Sequence, residues 1–161
     1  MKSAADGLFL DLRSLSEEEK VFQGEIPAPV FGLEGDRLCA PSSGLRYDVR
    51  ARVVGKELLV QGALDADFRV LCAKCGEFFS TSVRAPAFLH TYDLTEGVEI
   101  LDLTPDLRED LLLELPAYPA CAEATSGACP NLSLLRPLVQ PPPDGDDREN
   151  HRWDALDQLK L

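Results

Sequence analysis

The stretch Leu45–Val70, LRYDVRARVVGKELLVQGALDADFRV, decides the fold. In its first half Leu45, Tyr47, Val49, Ala51 and Val53 alternate with Arg46, Asp48, Arg50 and Arg52, the period-two pattern of a strand with one wet face. Beyond Gly55-Lys56 the parity switches, and Leu58, Val60, Leu64, Phe68 and Val70 form the apolar set. A two-residue turn at Gly55-Lys56 sets Tyr47 opposite Leu64 and Val53 opposite Leu58 on one buried face. It also sets Arg46 opposite Asp65 on the solvent face, a favourable cross-strand pair. Register and charge agree on this hairpin.

On the N-terminal side, residues 7–12 (GLFLDL) alternate enough for a short strand, and Ser16–Glu19 reads as a single turn or loop. Residues 23–43 hold Pro27, Pro29 and Pro41 among three glycines, which predicts loop or a broken edge strand. On the C-terminal side, Cys72-Ala-Lys-Cys75 forms a tight segment before a strand-like run from Glu77 to Tyr92. Pro86 within that run implies an edge, a bulge or a break. Val98–Leu103 reads as one more strand. Thr104-Pro105-Asp106 then supplies an N-cap, a first-turn proline and an acid suited to the helix dipole. The helix presents Leu107, Leu111, Leu112 and Leu115 as its apolar stripe, and Pro116 stops it. Residues 141–147 (PPPDGDD) have the composition of a solvated linker, and Trp153–Leu159 of a short amphipathic helix.

A chain of 161 residues with 45% apolar residues can build one domain with a real core. No apolar run reaches the length of a membrane span, and the first residues lack a secretory pattern, so a cytoplasmic, reducing setting is expected. There, five cysteines should be free, metal-bound or catalytic rather than bridged. The net charge of −12 disfavours non-specific nucleic-acid binding, which rests on Lys and Arg displacing counterions. Between Asp93 and Glu123 nine acids accompany the single base Arg108. Asp106, Glu109 and Asp110 in this belt are the candidate partner contacts, and a basic protein is an easier partner than naked RNA. The concentrated basic stripe, Arg46, Arg50 and Arg52, is the candidate phosphate-binding surface, although Asp48, Asp65 and Asp67 share its face.

The cysteines carry the chemistry. Cys72 and Cys75 form a C-x2-C knuckle at a strand-to-strand turn, and two ligands do not make a tetrahedral site. Cys121 and Cys129 add a second pair about fifty residues later, separated by seven residues rather than the usual two to four. Four thiolates from two loops suit a structural zinc ion, since soft sulfur ligands favour it over magnesium or calcium. Two other readings are open: reduced cysteines as small core residues, or a thiol-disulfide oxidoreductase using Cys72 and Cys75. The strand patterns flanking Cys72 and Cys75 deny them the helix N-terminus that activates redox thiols. Cys39 stands alone. No nucleophile elbow, phosphate loop, dinucleotide fingerprint or zinc-protease motif occurs, so no catalytic residue is assigned.

Several segments, in order, resemble the YceD-like family of large ribosomal RNA accumulation proteins. They are residues 12–26 (LRSLSEEEKVFQGEI), 70–79 (VLCAKCGEFF), 102–121 (DLTPDLREDLLLELPAYPAC), 127–132 (GACPNL) and 150–160 (NHRWDALDQLK). Lys74 stands where the family's knuckle usually has Arg. Members with a fuller cluster carry an extra cysteine between the last two ligands and a C-x-x-C after the Gly, and both extras are absent here. The resemblance implies Cys72, Cys75, Cys121 and Cys129 as metal ligands. It also implies a non-enzymatic ribosome-biogenesis factor for the large subunit, working with pre-ribosomal components. An acidic adaptor that escorts a basic ribosomal protein is the alternative in the same pathway.

The expected architecture is α+β, with an antiparallel sheet that can curl toward a barrel, one central helix, a four-cysteine zinc knuckle and a short C-terminal helix. A single domain spans residues 1–136, followed by a Pro-rich, acidic linker and amphipathic tail over 137–161.

Overall fold

The computed structural model describes residues 7–94, 97, 99–121 and 129. Its strands are β1 (Phe9–Asp11), β2 (Lys20–Ile26), β3 (Cys39–Pro41), β4 (Leu45–Val54), β5 (Glu57–Leu71), β6 (Phe78–Asp93) and β7 (Ile100–Asp102). One helix, α1 (Thr104–Leu113), follows β7, and a 3-10 turn spans Ala28–Phe31. The expected terminal helix and the tail over 137–161 lie outside the described residues.

The β4–β5 hairpin has the expected register. Tyr47 pairs with Leu64, Val53 with Leu58 and Arg46 with Asp65, and Val54 and Glu57 close the turn. Gly55 sits at φ +64°, a conformation that costs a side chain strain and glycine little. Leu45, Val49, Ala51, Leu58, Val60, Leu64, Ala66, Phe68 and Val70 are buried, while Arg50 is exposed. Tyr47 and Val53 are only partly covered and pack at the rim of this core.

All sheet pairings are antiparallel. β2 pairs with β4, β4 and β3 pair with successive parts of β5, and β6 pairs with β5 along the other side. Lys20–Ile26 therefore forms a regular edge strand, and its second half falls in the stretch expected to be loop or a broken edge strand. β1 and β7 make a separate two-stranded ribbon. The sheet does not close into a barrel: β2 and β6 pair with nothing on their outer sides among the described residues. The apolar surface that closure would have sealed is covered by α1, whose Leu107 and Leu111 are fully buried in the common core.

Pro86 lies at a β-bulge. Gly62 pairs with Phe88 and Leu64 with Ala85, so Pro86 and Ala87 together oppose Ala63. One extra residue flips the parity of the strand, so Val83 and Ala85 point inward before the bulge and Phe88 after it. The flip also turns His90 and Tyr92 toward α1. Nε2 of His90 lies 3.1 Å from Asp110, and the Tyr92 hydroxyl donates to Asp106. Two residues of strand rise about 6.7 Å and four of helix about 6 Å, so the spacings match.

α1 begins as the sequence suggests but is capped differently. The Thr104 hydroxyl accepts the Leu8 amide at 2.9 Å, stitching α1 to the chain entering β1, and Asp102 accepts the Thr104 amide. At the other side, Nε and Nη2 of Arg108 donate to the Phe31 carbonyl at 3.1 and 3.0 Å, anchoring α1 to the 3-10 turn.

Candidate metal centre

The β5–β6 connection is a six-residue loop, Cys72 to Glu77, built to present sulfur. Above the last rung, Leu71–Phe78, the Cys72 amide donates to the Glu77 carbonyl at 2.9 Å. The Gly76 amide then returns to the Cys72 carbonyl at 2.9 Å, with Gly76 at φ +73°. This curl brings Cys72 and Cys75 to the same side of the loop. Pro116 stops α1, and the chain turns back so that the Pro119 carbonyl accepts the Ala73 amide at 2.8 Å. That backbone bond seats Cys121 beside the knuckle.

The four sulfurs of Cys72, Cys75, Cys121 and Cys129 all lie within 4.8 Å of one another. Cys72–Cys129 is 3.8 Å, Cys75–Cys121 is 3.7 Å and Cys121–Cys129 is 3.2 Å. A tetrahedron with metal–sulfur bonds of about 2.3 Å has edges of about 3.8 Å, so two of these three separations already match it. Cys72, Cys121 and Cys129 are buried, Cys75 is half-buried, and Phe79 packs against the group. The cluster could hold a metal ion. The seven-residue spacer between Cys121 and Cys129 poses no obstacle, because the fold and not local spacing sets these distances.

The amides of Lys74 and Cys121 both point at the Cys72 sulfur, at 3.4 Å each. The Cys121 amide is the largest influence on Cys72 and, with those of Cys75 and Lys74, outweighs burial to bring the thiol down to about 6. For Cys75 the Glu77 amide pulls the same way, but burial and the adjacent Cys72 sulfur prevail and raise the thiol. Cys121 is pushed up to about 12, first by the Cys129 sulfur and then by burial. Without metal the cluster thus concentrates negative charge on Cys72. A cation would draw the remaining protons off.

Cys39 takes no part; it sits opposite Val70 in β3, where burial raises its thiol. Of the basic stripe, Arg46 is held by Asp65 at 2.5 Å and Asp67 at 3.1 Å, and Arg50 lies 3.7 Å from Glu19. Arg52 is exposed. Of the acidic trio, Asp106 and Asp110 are engaged by Tyr92 and His90, and Glu109 is exposed. Sequence reasoning missed both of these contacts. The signal was Phe88, His90 and Tyr92 at every second position, facing acids one helical turn apart.

An open groove of about 460 Å³ lies beside the bulge, lined by Asp48, Arg50, Gln61, Pro86 and Leu89 among others. Its lining includes no cysteine or histidine and only one carboxylate, so the chemistry-bearing cluster lies elsewhere. No helix among the described residues is long and apolar enough to cross a membrane. No protein-family model matches the sequence, and comparisons with curated proteins and with solved structures give no match.

Proposed function

We propose that the chain holds one structural zinc ion on Cys72, Cys75, Cys121 and Cys129 and acts by binding, as a YceD-like factor supporting large-subunit ribosomal RNA accumulation. The observation that carries the metal reading is the set of four sulfurs within 4.8 Å of one another, drawn from two distant parts of the chain. Four protein ligands complete zinc's coordination and leave no position for substrate, which favours a structural over a catalytic ion. Zinc would clamp the knuckle to the segment after α1, where burial alone offers little. The pathway reading is supported by the five segments that resemble the family, including both cysteine pairs.

The oxidoreductase alternative draws on the lowered Cys72 thiol. The same amide-to-sulfur bonds equally suit a thiolate held for a metal, and the other sulfurs crowd around Cys72 as co-ligands.

The metal half is tested by elemental analysis of protein purified under reducing conditions without chelator; about one zinc per chain is expected. Metal-free protein with insulin-reductase activity favours the oxidoreductase instead. The pathway half is tested in a clean deletion strain, where the ratio of large- to small-subunit RNA should fall. An unchanged ratio in cold and warm growth refutes it.

A further inference from the structure

The knuckle end of the sheet carries exposed aromatic and basic side chains that neither the core nor the metal cluster uses. Tyr118 is 84% exposed, Leu38 62% and Phe78 44%. Single exposed apolar residues are ordinary, but each of these adjoins the knuckle in the chain or through a backbone bond: Phe78 ends the loop, Leu38 bonds Leu71, and Tyr118 precedes Pro119, which bonds Ala73. Leu71 pairs with Phe78 on one side, and its amide donates to the Leu38 carbonyl on the other, forming a continuous row. The Arg69 guanidinium lies over the Phe78 ring, 4.7 Å from its centroid. Lys74 is exposed between the two knuckle cysteines, and Arg37 adjoins Leu38.

Tyr118 is presented by a stiff segment. Pro116 and Pro119 bracket it, each with a fixed φ, and the Ala73 amide holds the Pro119 carbonyl. Cys121 follows two residues later, so a metal ion would fasten the platform from the same side. A ring held this way loses little freedom when a flat ligand stacks on it.

Three cations, Arg37, Arg69 and Lys74, stand along this rim. Of the acids of α1, Asp106 and Asp110 are engaged by Tyr92 and His90 of β6, while Glu109 is exposed; Glu114 lies four residues before Tyr118. The acids nearest the rim are Asp36, Asp67 and Glu77; the Asp36 carboxylate accepts the Leu38 and Cys39 amides at 2.7 and 3.0 Å, and Asp67 is held by Arg46 and Ser82. Aromatic rings interleaved with cations match single-stranded nucleic acid, whose bases stack on the rings while phosphates meet Lys and Arg. A basic protein would be repelled here, and an acidic peptide would use the cations but not the rings.

We propose that this rim binds single-stranded RNA, with Tyr118 and Phe78 as stacking rings and Arg37, Arg69 and Lys74 as phosphate contacts. The inference rests on the ribosomal RNA reading above and supplies its direct ligand. It relocates RNA contact from the Arg46–Arg52 stripe, where Arg46 and Arg50 face intrachain acids, to the metal knuckle.

The test is a titration of the full-length, zinc-loaded chain against a fluorescently labelled oligouridylate, read by anisotropy across a salt series. Tyr118→Ala and Phe78→Ala should each weaken binding about tenfold. Three phosphate contacts should give a salt slope of about −2, reduced by about 0.7 for each of Arg69→Ala and Lys74→Ala. Arg50→Ala and Arg52→Ala should leave affinity unchanged. Zinc content measured on every variant should equal that of the parent, which shows that the knuckle remains folded. Absence of binding by the parent at low salt overturns the proposal. So does unchanged affinity in Tyr118→Ala, or preference for polyglutamate over the oligonucleotide. If the deletion strain shows the RNA imbalance while the titration is flat, the rim reading fails and the pathway reading stands. A sound titration with an unchanged RNA ratio has the opposite meaning.

Discussion

The amide of Ala73 donates to the carbonyl oxygen of Pro119 at 2.8 Å. The knuckle loop and the segment after α1 are therefore joined by backbone as well as by sulfur. A metal ion on the four sulfurs would fasten the same two segments that this backbone bond already joins.

Cys75→Ser should lower zinc content to well below one per chain and raise amide exchange at Ala73 and around Pro119–Cys121. Cys39→Ser should do neither, since Cys39 lies in β3 away from the cluster. Elemental analysis paired with hydrogen exchange reads both effects. Equal metal content in the two variants would overturn the ligand assignment.

Zinc uptake near pH 7 should release protons from Cys75 and Cys121, whose thiols lie above their ordinary value, but little from Cys72, lowered to about 6. Apparent zinc affinity should therefore rise with pH through the neutral range. In the metal-free chain the signs oppose each other. The Cys72 contribution to stability is full above its ordinary 9.0 and is lost as pH falls to about 6. That of Cys121 is full below 9.0 and is lost as pH rises through about 12. Calorimetry in buffers of different ionisation enthalpy counts the released protons.

Gly62→Ala should be among the most damaging small substitutions in the sheet. A Cβ there would lie 2.1 Å from the Asp48 carbonyl oxygen and 2.6 Å from Val49 Cα, both backbone atoms that cannot step aside. A loss of about 2–3 kcal/mol is expected in urea unfolding. Gly55→Ala meets no neighbouring atom within 4 Å and has only its positive φ to strain it, so about 1 kcal/mol is expected.

Tyr92→Phe should cost about 1 kcal/mol by removing the hydroxyl that docks α1 through Asp106. This contact also affects how an acidic docking surface can be probed. Reversing Asp106 and Asp110 to Lys would loosen α1 itself, whereas Glu109→Lys alters an exposed charge that makes no ion pair among the described residues. Thermal melts of the three variants should rank Glu109→Lys as the most stable.

The hairpin was legible in the sequence because alternation, a two-residue turn and one cross-strand charge pair all specify the same register, and a one-residue slip would invert every face. Pro86 announced an edge, a bulge or a break for a local reason, since it has no amide to give a ladder, and the register of β5 and β6 selects the bulge. The four cysteines could be named from residue type alone. Their convergence could not, since the return of the chain after Pro116 and the Ala73–Pro119 bond bring Cys121 to the knuckle. Edge strand β2 was only half legible, as loop or a broken edge strand from residue 23, because Lys20–Ile26 has mostly exposed residues and little periodicity and draws its order from the β4 ladder. The open sheet, too, was a tertiary outcome. Period-two patterning shows that a strand has a buried face but not what covers it, and here α1 covers it while the sheet stays open.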